Sequence, residues 1–451
     1  MTQTPSQAPL SRPRPPSPRR WWLVLGSATW AAFAVLHGPG ASTAAEPTAG
    51  MPLVEPTERH ANVRLERWES GGGLSFRGRE GEPFRRQLTE IVRYGRGAYD
   101  RRGEGLLLVD GSWLAGRVTE IGEDACRVVG RYFNTSIPRP LVRAALFSAP
   151  AIDGLQEEII REAFAAEGSD DIVIGVDGDR RSGALQAAEE SDVIWQRGED
   201  ELRLRSDARP LRIAVSGIRA VVFSPLLTPR VPADSPKMVV GLAGGSRLQV
   251  RRYGEGESAT TVTLVCGAEL VLPPPAEAAA AITYLSPSEI GGGEQTQLFR
   301  RLSDEPPLRL RVQPLFGPAY DAPPSEAAPG GESRSTVAGH WYGNTIAMPS
   351  ASQAVYRGLA DGGIFRAEVA IADSQVPDAA AGTARFRVLV VGREGQLREI
   401  WKSEPVRGGD GLIEVFVLVP PTAAVVLAVD RVESKGAGDR AVWIDPVLTA
   451  N

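Results

Sequence analysis

Hydrophobic and polar residues alternate with period two through the last quarter of the chain. Phe365, Ala367, Val369 and Ile371 fall on one side of a strand, with Arg366 and Glu368 on the other. Phe386, Val388 and Val390 repeat the pattern against Arg385 and Arg387, and Ile413, Val415, Val417 and Val419 repeat it again. Alternation of this kind predicts half-buried strands. Val425 to Val429 is an unbroken apolar run, which predicts a strand covered on both faces. About 110 residues of such strands predict a β-sandwich.

The middle of the chain shows self-similarity instead. Leu106–Gly111 leads into Leu114–Val118, Ile172–Gly178 into Ser182–Leu185, and Val239–Gly245 into Arg247-Leu248. The copies close alike, on Ala145–Ser148, Val221–Ser224 and Ile282–Ser286, and a fainter copy runs from Val63–Glu66 to Leu88–Gly95. Asp-Gly and Gly-Gly between apolar runs are hairpin turns, so each clear copy opens on a hairpin. Copies of roughly 45–60 residues predict small curled sheets or barrels that pack on one another. One helix interrupts them. Asp153 caps it, Gln156 follows three residues on, and Leu155, Ile159 and Ala163 recur at helical spacing with Ile160 and Phe164 beside them. It is expected to lie across a sheet.

The N-terminus reads as an export signal. A Pro-rich basic segment ends at Arg19-Arg20, an apolar run spans Trp21–Leu36, and small residues follow from Gly38 to Ala45. Left uncleaved, residues 21–36 would be a membrane anchor. The expected architecture is all-β: signal peptide or anchor 1–45, small β repeats 46–150, helical insert 151–167, small β repeats 168–290, linker region 291–335 and β-sandwich 336–451. Within and beyond that linker, 321–338 is rich in Pro, Gly, Ser and Ala.

Composition narrows the chemistry. Net charge is −5, and the four arginines and no acid within 1–45 would leave a processed chain more acidic still. An acidic surface repels phosphate backbones, so nucleic acid is not expected as a partner. Three histidines, His37, His60 and His340, exclude a multi-histidine metal site. Cys126 and Cys266 fit no metal spacing and are read as two buried free thiols in preference to a disulfide. No phosphate-binding loop, nucleophile elbow, dinucleotide fingerprint or zinc-protease motif occurs. Glu157-Glu158 and Glu189-Glu190 are read as solvated faces.

The ordered motifs of the last domain resemble a family. Gly343–Ile346, Ser350-Ala351-Ser352 and Val355-Tyr356, then Phe365–Asp373, Phe386-Arg387-Val388 with Gly392, and Asp439–Pro446 are similar to the NPCBM carbohydrate-binding module associated with glycosyl hydrolase family 98. The resemblance covers roughly 336–451 and implies a galactose-binding-like jelly roll that holds glycan at loops on one edge. The preceding β repeats are more loosely similar to those of planctomycete-type multi-domain proteins. The chain departs from the family at Met348-Pro349 and Arg440, where His is frequent, and at Ala372, where an acid is.

Sugar binding needs an aromatic plate for the pyranose and planar polar groups for its hydroxyls. Trp341, Tyr342, Trp401 and Trp443 are the candidate carbohydrate-binding residues, with Trp341-Tyr342 placed just after the linker where a loop would expose it. For Trp443, in the closing strand, core packing is the competing reading, and His340 is read as a surface or capping residue. Asp373, Asp439 and Asp445 offer the hard oxygens that calcium takes, although their spacing matches no calcium loop and turn roles are the plainer reading. No other cofactor and no catalytic residue is expected. The sequence therefore reads as an exported, extracytoplasmic, non-catalytic binder of a glycan or polysaccharide. Two other readings stand beside it: an envelope protein whose sandwich contacts protein, and a carboxylate-based glycoside hydrolase.

Overall fold

The computed structural model describes residues 50–98, 103–148, 153–186, 193–199, 201–205, 210–227, 229, 237–288, 299–313, 318–322, 335–373, 382–432 and 440–450. The expected export signal, Glu189, Glu190 and Asp439 lie outside them. The chain is all-β, and Asp153–Ala165 and Pro275–Ala281 are the α-helices among the described residues. Neither is long and apolar enough to cross a membrane.

Four segments share one strand plan. In each, the first strand pairs antiparallel with the last: Met51–Val54 with Arg93–Gly95, Gly105–Leu108 with Val142–Leu146, Asp171–Gly175 with Ile218–Val222, and Lys237–Leu242 with Ile282–Ser288. A helical turn stands directly before or close to each closing strand, at Leu88–Glu90, Arg139–Leu141, Val215–Gly217 and Pro275–Ala281. The opening hairpins of the last three segments are built alike. Leu108 accepts from the Gly111 N–H at 3.0 Å and donates to Ser112 O at 2.9 Å, and the same pair of bonds recurs at Gly175 and Leu242. This is a turn followed by a residue in the left-handed region, φ 84° at Gly111, 91° at Gly178 and 88° at Gly245. Glycine accepts that conformation without strain, which is why the Asp-Gly and Gly-Gly pairs mark these sites in the sequence.

The segments join through exchanged pairs. The closing strands of the second and third pair antiparallel, and Phe147 N donates to Arg219 O while Phe223 N donates to Arg143 O. Those of the first and fourth pair through Tyr94 and Leu285. The second and fourth meet hairpin to hairpin: Ser246 Oγ accepts from Ala115 N at 3.0 Å, and Ser112 Oγ accepts from Gln249 N at 2.9 Å. One buried apolar cluster runs through all four, from Leu53 and Trp68 to Leu285. The helix Asp153–Ala165 packs Ile159 and Ala163 against Ala144, Leu146, Ala220 and Val222, across the sheet as its spacing predicts.

Cys126 is buried in this core, Cys266 is half-buried, and both are free thiols. Burial pushes each up to about 12. At pH 8 the reactive thiolate is then roughly one part in ten thousand. The native chain should therefore react with a thiol reagent far more slowly than the urea-unfolded chain, which should release both equivalents promptly; equal rates would refute the burial.

The C-terminal sandwich has two antiparallel sheets around a second core. The five-stranded sheet contains Arg300–Arg301, Thr345–Pro349, Gly363–Ile371, Ile413–Val419 and Arg440–Ala450. The seven-stranded sheet contains Arg309–Val312, Tyr320–Ala322, Ser352–Arg357, Thr383–Val391, Leu397–Lys402, Val406–Arg407 and Ala424–Arg431. The expected linker, 291–335, is thereby corrected in part. Arg300–Arg301 pairs with Arg440–Ala450, and Arg309–Val312 pairs with Ser352–Arg357. Leu302, Leu310 and Val312 are buried in the sandwich core. Arg309-Leu310-Arg311-Val312 already alternates, but two alternating pairs are too short to stand out from a Pro-rich surrounding.

Candidate functional site

The two outer faces of the sandwich have different fates. On the five-stranded sheet, Phe365, Ala367, Val369, Trp443 and Leu448 point into the sandwich core. Their neighbours point outward and are nonetheless buried. Ala370, Ala372, Val442 and Ile444 pack with Val239, Tyr284, Val337, Trp341 and Tyr342, and Val447 packs with Val54, Val92 and Phe299. The four-segment body thus covers this face over Gly363–Ile371 and Arg440–Ala450, while Phe416 and Leu418 of Ile413–Val419 stay exposed.

Charged groups sit in the middle of the contact. The register of Gly363–Ile371 against Arg440–Ala450 slips between Arg366/Val447 and Glu368/Ile444, giving a bulge at Asp445-Pro446. Asp445 takes φ 47°, in the left-handed region that Asp tolerates better than most residues. The bulge keeps Asp445 on the covered side beside Glu368. Arg93, from the first segment, lies between them: it pairs with Glu368, and its Nε is 3.0 Å from Asp445 Oδ2. Arg301 Nη1 approaches Asp445 Oδ1 at 3.6 Å, and Arg59 Nη2 approaches Glu368 Oε1 at 3.3 Å. Asn344 Nδ2 donates to Ser286 Oγ at 2.6 Å and to Asp445 Oδ1 at 3.3 Å. Arg93 also lies 4.9 Å over the Tyr342 ring. Burial by itself would raise the Glu368 pKa, but Arg93 and then Arg59 outweigh it and hold the carboxyl below its ordinary value.

The four candidate aromatic residues divide. Trp341 and Tyr342 are not on an exposed loop. His340–Tyr342 is a strand paired with Ser335–Val337 and with Gly97–Ala98, and the two rings are 6% and 1% exposed. Trp341 Nε1 donates to Ala98 O at 2.8 Å, and its ring lies 4.6 Å from that of Tyr284. Gly97 makes room for it, since a Cβ there would stand 2.3 Å from the indole. Trp443 is 0% exposed, with Phe386 at 5.3 Å and Phe365 at 6.0 Å edge-on to it. Trp401 is half-buried at the sandwich edge, 6.4 Å from Trp443. The structure therefore brings Trp401 and Trp443 together and keeps Trp341-Tyr342 apart from them, in the contact between bodies.

Of the candidate calcium ligands, the described ones, Asp373 and Asp445, already have other partners. Asp373 accepts the N–H groups of Ala338 and Gly339, both at 2.9 Å, and so shapes the turn before His340. Asp445 faces two guanidiniums, Arg93 and Arg301, although burial outweighs them and raises its pKa above the ordinary value. His340 Nδ1 meets Gly97 O at 3.3 Å. Glu55, Glu58 and His60 place ligand atoms within 4.8 Å of one another, but Glu55 Oε1 already accepts from Arg86 Nε at 2.8 Å.

The outer face of the seven-stranded sheet carries an apolar cluster made, among the described residues, of this sheet's own side chains: Leu389, Val426 and Ala428, flanked by Val355 and Val391. Long polar side chains surround it. In register across the sheet lie Arg309, Val355, Val426, Leu389 and Glu399, and beside them Arg311, Gln353, Ala428, Arg387 and Lys402. Arg309, Arg311, Gln353, Glu399 and Lys402 are exposed. Arg387 pairs with Asp430 at 2.8 Å and Glu399 at 3.3 Å, and Arg309 pairs with Asp321 at 2.9 Å. Sequence reasoning missed both the charged contact and this polar face. Each arises from residues far apart in the chain, and the one available signal was the run of arginines at outward positions of otherwise apolar strands.

Residues 323–449 match the family model described as NPCBM/NEW2 domain. Among solved structures, the chain is similar to the CBM51-2 and INT domains of Clostridium perfringens ZmpB, with 22% identity over 34% of this chain and 31% of that one and a TM-score of 0.27. It is similar to the CBM51 of a Clostridium perfringens GH95 protein in complex with methyl-galactose, with 17% identity over 34% and 99% and a TM-score of 0.25. It is also similar to tandem CBM51 modules of a family 98 glycoside hydrolase from Streptococcus pneumoniae, with 11% identity over 77% and 88% and a TM-score of 0.26. The match spans less than a third of the ZmpB structure. No curated protein sequence matches.

Proposed function

We propose that this chain is an exported, non-catalytic protein whose C-terminal sandwich binds a glycan and whose four β segments, copies of one unit, carry and orient it. The observation that carries this reading is the NPCBM/NEW2 match over residues 323–449, the segment that supplies most strands of the sandwich. The non-catalytic reading draws support from the buried carboxylates Glu368 and Asp445, which both face Arg93. Export rests on the sequence of residues 1–45.

Because Trp341, Tyr342 and Trp443 are buried, we assign glycan contact to the open face of the seven-stranded sheet, with Trp401 at its edge. Binding of the full-length chain on a glycan array tests the reading. Reproducible binding to a defined sugar class is the expected result. A clean negative from folded chain would favour the protein-contact reading, which the buried aromatics and the departures at Met348, Arg440 and Ala372 support. That reading predicts self-association visible by light scattering.

A further inference from the structure

We infer that the glycan is acidic, a polysaccharide bearing uronic acid carboxylates, and that it lies on the outer face of the seven-stranded sheet. The inference rests on the reading of the sandwich as a glycan-binding module and names the ligand class for it. The whole chain carries −5, yet this face is cationic. After Arg309 has paired with Asp321, and Arg387 with Asp430 and Glu399, the cations Arg311, Arg385 and Lys402 make no ion pair with any described residue. Lys402 is one of three lysines in the sequence.

Arg385 is half-buried, and its Nε is shielded from solvent with no hydrogen-bond partner among the described residues. Leaving such a donor unpaired is unfavourable, and a planar carboxylate accepting two parallel N–H bonds satisfies it better than a hydroxyl does. Arg385 stands directly across from Asp430, one step along the sheet from Arg387, while Arg311 is three strands away from Arg387 in the same row. At the spacing of neighbouring strands, the two sides of that row are about 14 Å apart. A polymer crossing the row would meet guanidiniums on both sides with the Gln353 amide between them.

The acids on this face select against denser polyanions. Glu399 and Asp430 are interleaved with the cations and would repel a backbone bearing more than one sulfate on every sugar. A uronic acid polymer spaces its carboxylates among ring hydroxyls, and those hydroxyls donate to the outer oxygens of the same acids.

Affinity electrophoresis of the full-length chain against polygalacturonate, neutral galactan and dextran sulfate tests this. Polygalacturonate should retard the chain at least tenfold more strongly than galactan, and added salt should weaken the effect. The Arg311→Ala/Arg385→Ala double variant should lose at least tenfold of that retardation with unchanged circular dichroism. Lysine at both positions should restore part of it. Galactan binding as strong as polygalacturonate, unaffected by the double variant, would overturn the acidic assignment and leave glycan binding standing. Equal retardation by dextran sulfate would overturn the carboxylate commitment. No retardation by any polymer, together with an empty array, would overturn both readings.

Discussion

Replacing Arg93 by Met should destabilise the chain by about 3–5 kcal/mol, among the largest effects of any single polar substitution, because it strands two acids in a dry contact. Arg93 is 1% exposed, and its side chain neutralises Glu368 and Asp445 together. Taking charges out of water is so unfavourable that the intact cluster adds little net stability over an apolar equivalent, but losing one member leaves uncompensated charge behind. The double variant Arg93→Met/Glu368→Gln should therefore recover much of the loss, and the non-additivity in urea unfolding measures the coupling. The exposed pair Arg309–Asp321 gives the contrast, with side chains 58% and 54% exposed. Breaking it should leave stability nearly unchanged despite its good geometry, because water and salt screen an exposed pair. Equal effects at the two sites would contradict the buried contact.

The second large effect concerns where the C-terminal domain begins. A fragment of residues 336–451 should not fold cooperatively. It lacks Arg300–Arg301 and Arg309–Val312, which pair with Arg440–Ala450 and Ser352–Arg357, and it lacks Leu302, Leu310 and Val312 from the core. Each of these buried side chains contributes about 1.5–3 kcal/mol, so their joint loss is comparable with the whole stability of a small domain. A fragment of residues 299–451 restores them and should fold, but it bares Val442, Ile444 and Val447 and takes Arg93 from Glu368 and Asp445, leaving Asp445 with Arg301 and Asn344. It should elute as associated species in gel filtration. A soluble, cooperatively unfolding 336–451 fragment would refute this boundary.

Much of the fold is written in local pattern. Period-two alternation in Phe365–Ile371 and Phe386–Val390 marks which side faces the sandwich core, and the glycines at 111, 178 and 245 mark the hairpins. These features depend on residues close in sequence, where side-chain period and allowed φ decide the outcome. What alternation does not encode is what lies on the other side. Arg366 and Glu368 read as a solvated face, yet both are buried, because the partner surface comes from residues near position 93. Trp341-Tyr342 misled for the same reason: two large rings after a Pro-rich stretch suggest exposure, and the shelter from Gly97-Ala98 and Tyr284 is visible once the segments are assembled. The family resemblance was legible at Gly343–Ile346, Phe365–Asp373 and Asp439–Pro446, and the match to residues 323–449 agrees with it. Its motif acids Glu368 and Asp445 turn out to face Arg93 and Arg301, a use that no motif discloses.

The central claim is that one face of the sandwich is closed by the β segments and the other is offered to a ligand. Hydroxyl-radical footprinting of the full-length chain tests it most directly. Trp341, Tyr342 and Tyr284 should be as protected as Trp443, while Leu397, at 59% exposure on the seven-stranded sheet, should be oxidised readily. Rapid oxidation of Trp341 and Tyr342 in folded chain would contradict the closed face and return those residues to the surface.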